Sequence, residues 1–194
     1  MRKSYMVSGI KNMETAYRES KIELKELSWE DVMVLSSNVA NKVISSAIKI
    51  DTIVGISRGG IIPARIISDM LLVKDFYVYG VNFYTGINER DEIKIIQRPD
   101  GNFKNKNVLI VDDIIDSGKT MIFVRDKMAF EAGSVKTASL LKKPWSDLEP
   151  DFYASVTDKW IVFPWETTET KVELANKKIG DGIGKSPSRD NWSA

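Results

Sequence analysis

One stretch of the chain, residues 107–120, limits the possible folds and sites more than any other. It begins with an unbroken apolar run at 108–111, rich in β-branched residues, which predicts a central parallel strand covered on both faces. Three acids, two hydroxyl residues and a glycine follow, and the apolar spacing at 121–130 then predicts a helix. Strand, loop and helix N-terminus predict an anion site, because backbone N–H groups of a first helical turn lack helical partners.

The three acids need a ligand or a partner of their own. Asp112, Asp113 and Asp116 lie within five positions. Like charges at this spacing raise one another's pKa unless a positive or hydrogen-bonding group lies between them. A divalent cation or a set of sugar hydroxyls would serve. Acids beside a phosphate-binding turn therefore favour a phosphorylated sugar with Mg²⁺.

The rest of the turn suits a phosphate. Ser117 and Thr120 supply hydroxyls, and Lys119 supplies a positive charge. A nucleotide-binding P-loop is one alternative, but that motif needs a glycine five positions before Gly118, where this chain has Asp113. A solvated acidic turn after a core strand is the other.

The stretch resembles the phosphoribosyl-diphosphate (PRPP) motif of the type I phosphoribosyltransferases: an apolar strand, two acids, two apolar residues, Asp, Thr or Ser, Gly, any residue, Thr. The resemblance implies that Asp112 and Asp113 hold the ribose hydroxyls, directly or through Mg²⁺. It implies that residues 116–120 hold the 5′-phosphate: Asp116, Ser117, Gly118, Lys119 and Thr120. Asp116 would also be the general base or hydrogen-bond acceptor at purine N7.

A second strand–loop–helix unit follows the same logic. Residues 52–56 predict a short buried strand and 61–72 a helix, with two glycines between them that allow close backbone approach or a positive φ. Arg58 can bind phosphate oxygens in a bidentate manner. The resemblance implies that Ser57, Arg58 and Gly59 hold the pyrophosphate, and that a cis peptide, if present, joins Ser57 to Arg58. A tight turn with a surface arginine is the alternative.

Three further segments carry expectations that come from the resemblance. The polar segment after the strand at 76–83 matches the family's mobile flap, with Tyr84 at its start, although this chain has Phe83 where the family often has Ser. Lys143-Pro144 and the aromatic run at 160–166 are similar to segments of the purine (xanthine–guanine/hypoxanthine) phosphoribosyltransferases. Lys143, Trp160 and Ile161 are therefore expected to contact a 6-oxopurine.

The elements outside the two turns are predicted from periodicity. A weak strand at 22–27 and an amphipathic helix from Ser28 to Ala47 are expected, with Trp29 packed. The helix after the central motif should end near Ala132, with Gly133 as its cap, before a strand at 135–141. Residues 147–159 show no clear pattern.

Composition excludes several classes of protein. The 194 residues contain no cysteine and no histidine, which excludes disulfides, thiol chemistry, Ser-His pairs and His-ligated zinc. The net charge of +1 gives no reason to expect a nucleic acid. No apolar run reaches the roughly 18 residues of a membrane span, and no secretory signal is expected. A cytoplasmic location is predicted.

The predicted fold is α/β, with a mainly parallel twisted sheet, helices on both faces and a small hood from the chain ends. The expected organisation is an N-terminal extension (1–21), a phosphoribosyltransferase domain with its hood (22–175) and a C-terminal tail (176–194). The resemblance implies transfer of the phosphoribosyl group from PRPP to a 6-oxopurine, giving the nucleoside monophosphate and pyrophosphate, by a homodimer or homotetramer. A PRPP-sensing regulator without catalysis, or an enzyme for adenine or a pyrimidine, are the alternatives.

Overall fold

The computed structural model describes residues 23–84 and 92–172. The predicted extension and tail, and most of the predicted flap, lie outside these residues. The chain divides into two compact units. The larger is Trp29–Asp158, and the smaller comprises Met1–Ser28 and Lys159–Ala194, of which residues 23–28 and 159–172 are described. The predicted division into an extension, one domain with its hood and a tail stays a prediction.

The larger unit is built on a six-stranded sheet with the order β4-β3-β2-β5-β6-β7. Every neighbouring pair is parallel except β3 and β4 at one edge. The strands are β2 (Thr52–Ser57), β3 (Phe76–Tyr84), β4 (Glu92–Gln97), β5 (Asn107–Ile115), β6 (Ser134–Lys142) and β7 (Phe152–Val156). Helix α1 (Trp29–Ser45) precedes β2, α2 (Ile61–Met70) connects β2 to β3, and α3 (Lys119–Ala129) connects β5 to β6.

Both faces of the sheet are covered. Alternate strand residues point to opposite faces, and Val54, Ile110 and their neighbours pack with Met121, Val124 and Met128 of α3. The intervening residues Ile53 and Leu109 are also fully buried. Helices α1 and α2 contact each other and the strands β2, β5, β6 and β7. The predicted fold class is confirmed.

The smaller unit contains a two-stranded parallel sheet of β1 (Leu24–Glu26) and β8 (Trp160–Val162). The Trp160 amide donates to the Glu23 carbonyl, and the Leu27 amide to the Val162 carbonyl. Lys159 and Glu23 form an ion pair. Backbone pairing therefore joins β1 to β8. The sequence had predicted only a weak strand at 22–27.

Five local features differ from what the sequence predicted or left unassigned. Trp29 was expected to pack, but in the first turn of α1 it is 56% exposed. Helix α3 ends at Ala129 rather than near Ala132. Gly133 does not cap it, because its N–H bonds to the Lys106 carbonyl at the entry to β6. Strand β7 lies in the segment that showed no pattern. Strand β5 continues through the acids to Ile115, since its pairing with β6 continues to that residue.

No helix in the described ranges is long and apolar enough to cross a membrane.

Candidate active site

The first turn leaves β2 at Ser57 and enters α2 after Gly60. The peptide bond between Ser57 and Arg58 is cis, as the resemblance predicted. Gly60 has an ordinary φ of −67°. A Cβ atom on Gly60 would lie 2.5 Å from the Val111 carbonyl oxygen and 2.8 Å from the Asp112 Cα. Of the two predicted reasons for glycine at Gly60, close backbone approach is therefore the one that applies.

The first turn also touches the acids of the second. A Cβ atom on Gly59 would lie 2.5 Å from Cγ of Asp113 and 2.9 Å from its Oδ1. The Gly59 backbone therefore lies directly against the Asp113 carboxylate. Strands β2 and β5 are parallel neighbours, with Gly55 opposite Val111, so the two turns emerge side by side at the carboxyl edge of the sheet.

The two acids of β5 differ in environment because they face opposite sides of the strand. Asp113 is 7% exposed, and its Oδ1 accepts the Ile114 amide at 2.7 Å. Asp112 is half-buried, and its Oδ1 accepts the Asp113 amide at 3.1 Å. Carboxylates held by the backbone keep a fixed orientation, as a ligand site requires.

The second turn runs from Asp116 to the start of α3. Gly118 precedes the helix with a left-handed φ of 87°, so a side chain there would be strained. Asp116, Ser117 and Lys119 are exposed, and Thr120 is half-buried. The N-cap residues of α2 and α3 are the glycines Gly60 and Gly118, which have no side chain to cap the helix, and the Ser117 hydroxyl accepts the Lys119 N–H at 3.4 Å. The N-terminal ends of α2 and α3 thus present backbone N–H donors suited to anions.

Lys143, which the resemblance assigned to the base, lies beside this turn. Its backbone N–H donates to the Ile115 carbonyl at 2.8 Å, and the residue is 7% exposed. Burial lowers the pKa of the Lys143 amine, and the nearby carboxylates of Asp116 and Asp158 partly offset this. The structure therefore brings Lys143 and Asp116 within electrostatic range of each other.

Trp145 was given no role from the sequence, yet it contacts both of these residues. Its indole N–H donates to Asp116 Oδ1 at 2.8 Å. The Lys143 ammonium lies 5.1 Å from the centre of the Trp145 ring. The only sequence signal was an aromatic residue two positions after Lys143, which by itself does not distinguish a site residue from a surface tryptophan.

The remaining predicted base contacts belong to the smaller unit. Trp160 is 43% exposed at the start of β8, and Ile161 beside it is buried. Close by, Phe163 and Trp165 stack with ring centres 4.7 Å apart. The contact of Trp160 and Ile161 with a base stays a prediction. Tyr84 is the last residue of β3, and the flap residues that follow it lie outside the described ranges.

Metal binding can be tested against the donors that are present. Within residues 23–84 and 92–172, no group of three or more acidic side chains is arranged to hold a metal ion. Asp112 and Asp113 nevertheless supply two hard oxygen donors. Mg²⁺ commonly uses one or two carboxylates together with water and substrate phosphates. The residues therefore fit an ion that arrives with a diphosphate better than a resident ion.

Comparisons with known proteins agree with this geometry. The model of the phosphoribosyl transferase domain matches residues 23–170. A xanthine-guanine phosphoribosyltransferase from Idiomarina loihiensis is 29% identical over 142 residues, covering 72% of this chain and 85% of that protein. One from Cereibacter sphaeroides is 33% identical over 125 residues, covering 62% and 72%.

Solved structures give the same result. The purine phosphoribosyltransferase from Pyrococcus horikoshii is 36% identical with a TM-score of 0.67, covering 74% of this chain and 94% of that one. A Neisseria gonorrhoeae protein with bound ppGpp is 26% identical with a TM-score of 0.68, covering 81% and 98%. The predicted enzyme class, a purine phosphoribosyltransferase, is confirmed, and the chain belongs to the phosphoribosyl transferase domain family.

Proposed function

We propose that the two adjoining turns form one PRPP site and that the enzyme transfers the phosphoribosyl group to a 6-oxopurine. The observation that carries the proposal is the contact between Gly59 of the first turn and the Asp113 carboxylate of the second. PRPP carries a pyrophosphate and a 5′-phosphate on one ribose. Two anion-binding turns with an acid between them match those three parts.

Each part of PRPP has residues suited to it. The cis peptide and Arg58 hold the pyrophosphate, together with Ser57 and Gly59. Asp113, which lies against Gly59, and its neighbour Asp112 are assigned to the ribose hydroxyls. The 5′-phosphate lies at the N-terminus of α3, where Gly118 permits close approach and three side chains supply donors: Ser117, Lys119 and Thr120. Asp112 and Asp113 would hold the Mg²⁺ ion, whose positive charge would stabilise the leaving group.

The transfer itself needs positioning more than covalent help. Purine N9 forms the new bond to ribose C1′ while the bond from C1′ to the pyrophosphate oxygen breaks. The base loses one proton, and Asp116 is placed to accept it at N7. Holding both substrates in line can supply much of the rate.

The base is proposed to be hypoxanthine, guanine or xanthine, and the product a purine nucleoside monophosphate. An ammonium group at Lys143 donates to a 6-oxo oxygen and disfavours the 6-amino group of adenine, since two donors do not pair. Trp160 offers an aromatic face for stacking and Ile161 an apolar contact. The names of the relatives support the purine class. A role in purine salvage, a cytoplasmic location and a homodimer or homotetramer belong to the same proposal.

The test is pyrophosphate release from PRPP and Mg²⁺ with each of six bases: hypoxanthine, guanine, xanthine, adenine, uracil and orotate. Release with 6-oxopurines alone is expected. Release with adenine or a pyrimidine would contradict the assignment of Lys143. PRPP binding without release for any base would instead favour a regulator that senses PRPP.

A single substitution tests the role of Asp116. Asp116→Asn keeps the shape of the side chain but removes its charge, so turnover should fall much more than PRPP affinity. Turnover close to that of the wild type would remove Asp116 from the mechanism.

A further inference from the structure

The segment after β6, residues 143–148, is attached to the second turn by its backbone. The Lys143 N–H donates to the Ile115 carbonyl at 2.8 Å, and the Asp147 N–H to the Ser117 carbonyl at 3.2 Å. A Cβ atom on Gly118 would lie 2.7 Å from Cβ of Leu148, so the two segments also touch at the start of α3. The backbone between these two hydrogen bonds, residues 143–147, is therefore fixed relative to the second turn.

Trp145 is the side chain that links them. Its N–H donates to Asp116 Oδ1 at 2.8 Å, and a hydrogen bond to a carboxylate is stronger than one between neutral groups. Its ring lies 5.1 Å from the Lys143 ammonium, within the range of a cation–π interaction. One residue therefore contacts both groups assigned to the base edge.

The geometry of a 6-oxopurine explains why such a link would matter. N7 and O6 lie next to each other on one edge of the ring, as they do in guanine. An acceptor for N7–H and a donor to O6 must therefore be held at a matching separation. Trp145 contacts the acceptor Asp116 through its N–H and the donor Lys143 through its ring.

We propose that Trp145 is a positioning residue that holds Asp116 and Lys143 in register with the N7 and O6 edge of the purine. The indole N–H orients the carboxylate toward N7, and the ring keeps the ammonium on the O6 side. This inference rests on the proposed function and assigns a role at the same site to a residue that the sequence left without one.

Two variants separate the two contacts. Trp145→Phe keeps a ring near Lys143 but removes the N–H, so kcat should fall about 10- to 100-fold, the usual range for one lost hydrogen bond to a charged group. The KM for PRPP should stay within about twofold, because the hydroxyls, the lysine and the backbone donors assigned to the 5′-phosphate stay in place. Trp145→Leu also removes the ring, and the KM for the purine should then rise as well.

A matched control and a double mutant make the result specific. Trp29 has the same exposure as Trp145, 56%, but lies on α1, so Trp29→Phe should leave both constants unchanged. In an Asp116→Ala background, Trp145→Phe should cause no further loss, since the acceptor is already absent. Equal losses with and without Asp116, or an effect no larger than that of Trp29→Phe, would overturn the inference.

The same experiment separates this inference from the proposed function. Absence of pyrophosphate release by the wild-type enzyme with every purine would overturn the proposed function itself. Wild-type release together with a Trp145→Phe enzyme of normal kcat would overturn only the role of Trp145. An unchanged melting temperature in Trp145→Phe confirms that a lower kcat does not come from unfolding.

Discussion

The two turns at the carboxyl edge of the sheet look alike in sequence, yet their glycines serve different physical needs. In the turn after β2, Gly60 has an ordinary φ and is required because the backbone of β5 is too close for a side chain. In the turn after β5, Gly118 has a φ of 87°, which disfavours any side chain regardless of space. A strand, a glycine-containing turn and a helix can therefore form an anion site in two ways.

The two turns should respond differently to substitution. The first turn is shaped by its contact with the second, since Gly59 and Gly60 lie against residues of β5. The second turn is shaped by its own backbone and by the segment at 143–148. Substitutions in the first turn should therefore disturb the acids of the second, whereas Gly118 substitutions should act locally.

The largest effect is expected from Gly59→Ala. Its Cβ would overlap the Asp113 carboxylate and displace it. A displacement of about 1 Å at a reacting site can cost about 100-fold in rate, so kcat/KM for PRPP should fall by about that factor. Gly101→Ala is the matched control, because the three atoms nearest its Cβ, the first at 2.7 Å, would all belong to the Tyr77 side chain, outside both turns. Equal kinetics in the two variants would contradict the proposed contact.

Gly60→Ala should mainly affect folding. Its Cβ would meet backbone atoms of two strands, which cannot move as a side chain can, so we expect a loss of about 2–3 kcal/mol in the free energy of unfolding. Gly133→Ala serves as a comparison, because its Cβ would lie 2.8 Å from backbone atoms of Asn105, at the opposite edge of the sheet. Urea denaturation should show a loss for both variants, but only Gly60→Ala should also raise the KM for PRPP.

Gly118→Ala should cost less, about 1–2 kcal/mol, the usual penalty for a side chain in the left-handed region. Gly118→Asn should cost less than Gly118→Ala, since Asn adopts this conformation more readily. Both variants place a Cβ near Leu148, so the φ penalty is the main term in the difference between them. An equal loss in the two would mean that crowding by Leu148, rather than φ, requires the glycine.

The smallest effect concerns pH. Burial lowers the pKa of Lys143, so its amine loses its charge at a lower pH than an ordinary lysine does. The KM for a 6-oxopurine should therefore begin to rise on the alkaline side before the normal lysine range, while the KM for PRPP does not follow. The purine itself also loses a proton at alkaline pH. Lys143→Gln is the control, and any rise that it retains belongs to the base.

Periodicity and one long motif were enough to predict the central strand and the turn that follows it. The unbroken β-branched run of β5 predicted a buried central strand, and its four residues at 108–111 are fully buried. The order of acids, hydroxyls and glycine predicted the second turn. Strand β7 was missed because it is only five residues long, Phe152–Val156, and lies in a segment of mixed polarity.

Tertiary contacts between distant residues could not be predicted in this way. The contact between Gly59 and Asp113 joins residues 54 positions apart, and it depends on the pairing of β2 with β5. The hydrogen bond from Trp145 to Asp116 spans 29 positions. The exposure of Trp29 is a third case, because nothing in its local sequence indicates whether distant parts of the chain pack against it.

The central claim is that the two turns hold opposite ends of one PRPP molecule. Calorimetric titration of ribose 5-phosphate and of pyrophosphate with Mg²⁺ tests this directly in the wild type and two variants, Arg58→Gln and Gly118→Ala. We predict that Arg58→Gln weakens pyrophosphate but not ribose 5-phosphate, that Gly118→Ala does the reverse, and that both weaken PRPP. If each variant weakened both fragments equally, or if neither weakened PRPP, the division of the substrate between the two turns would be contradicted.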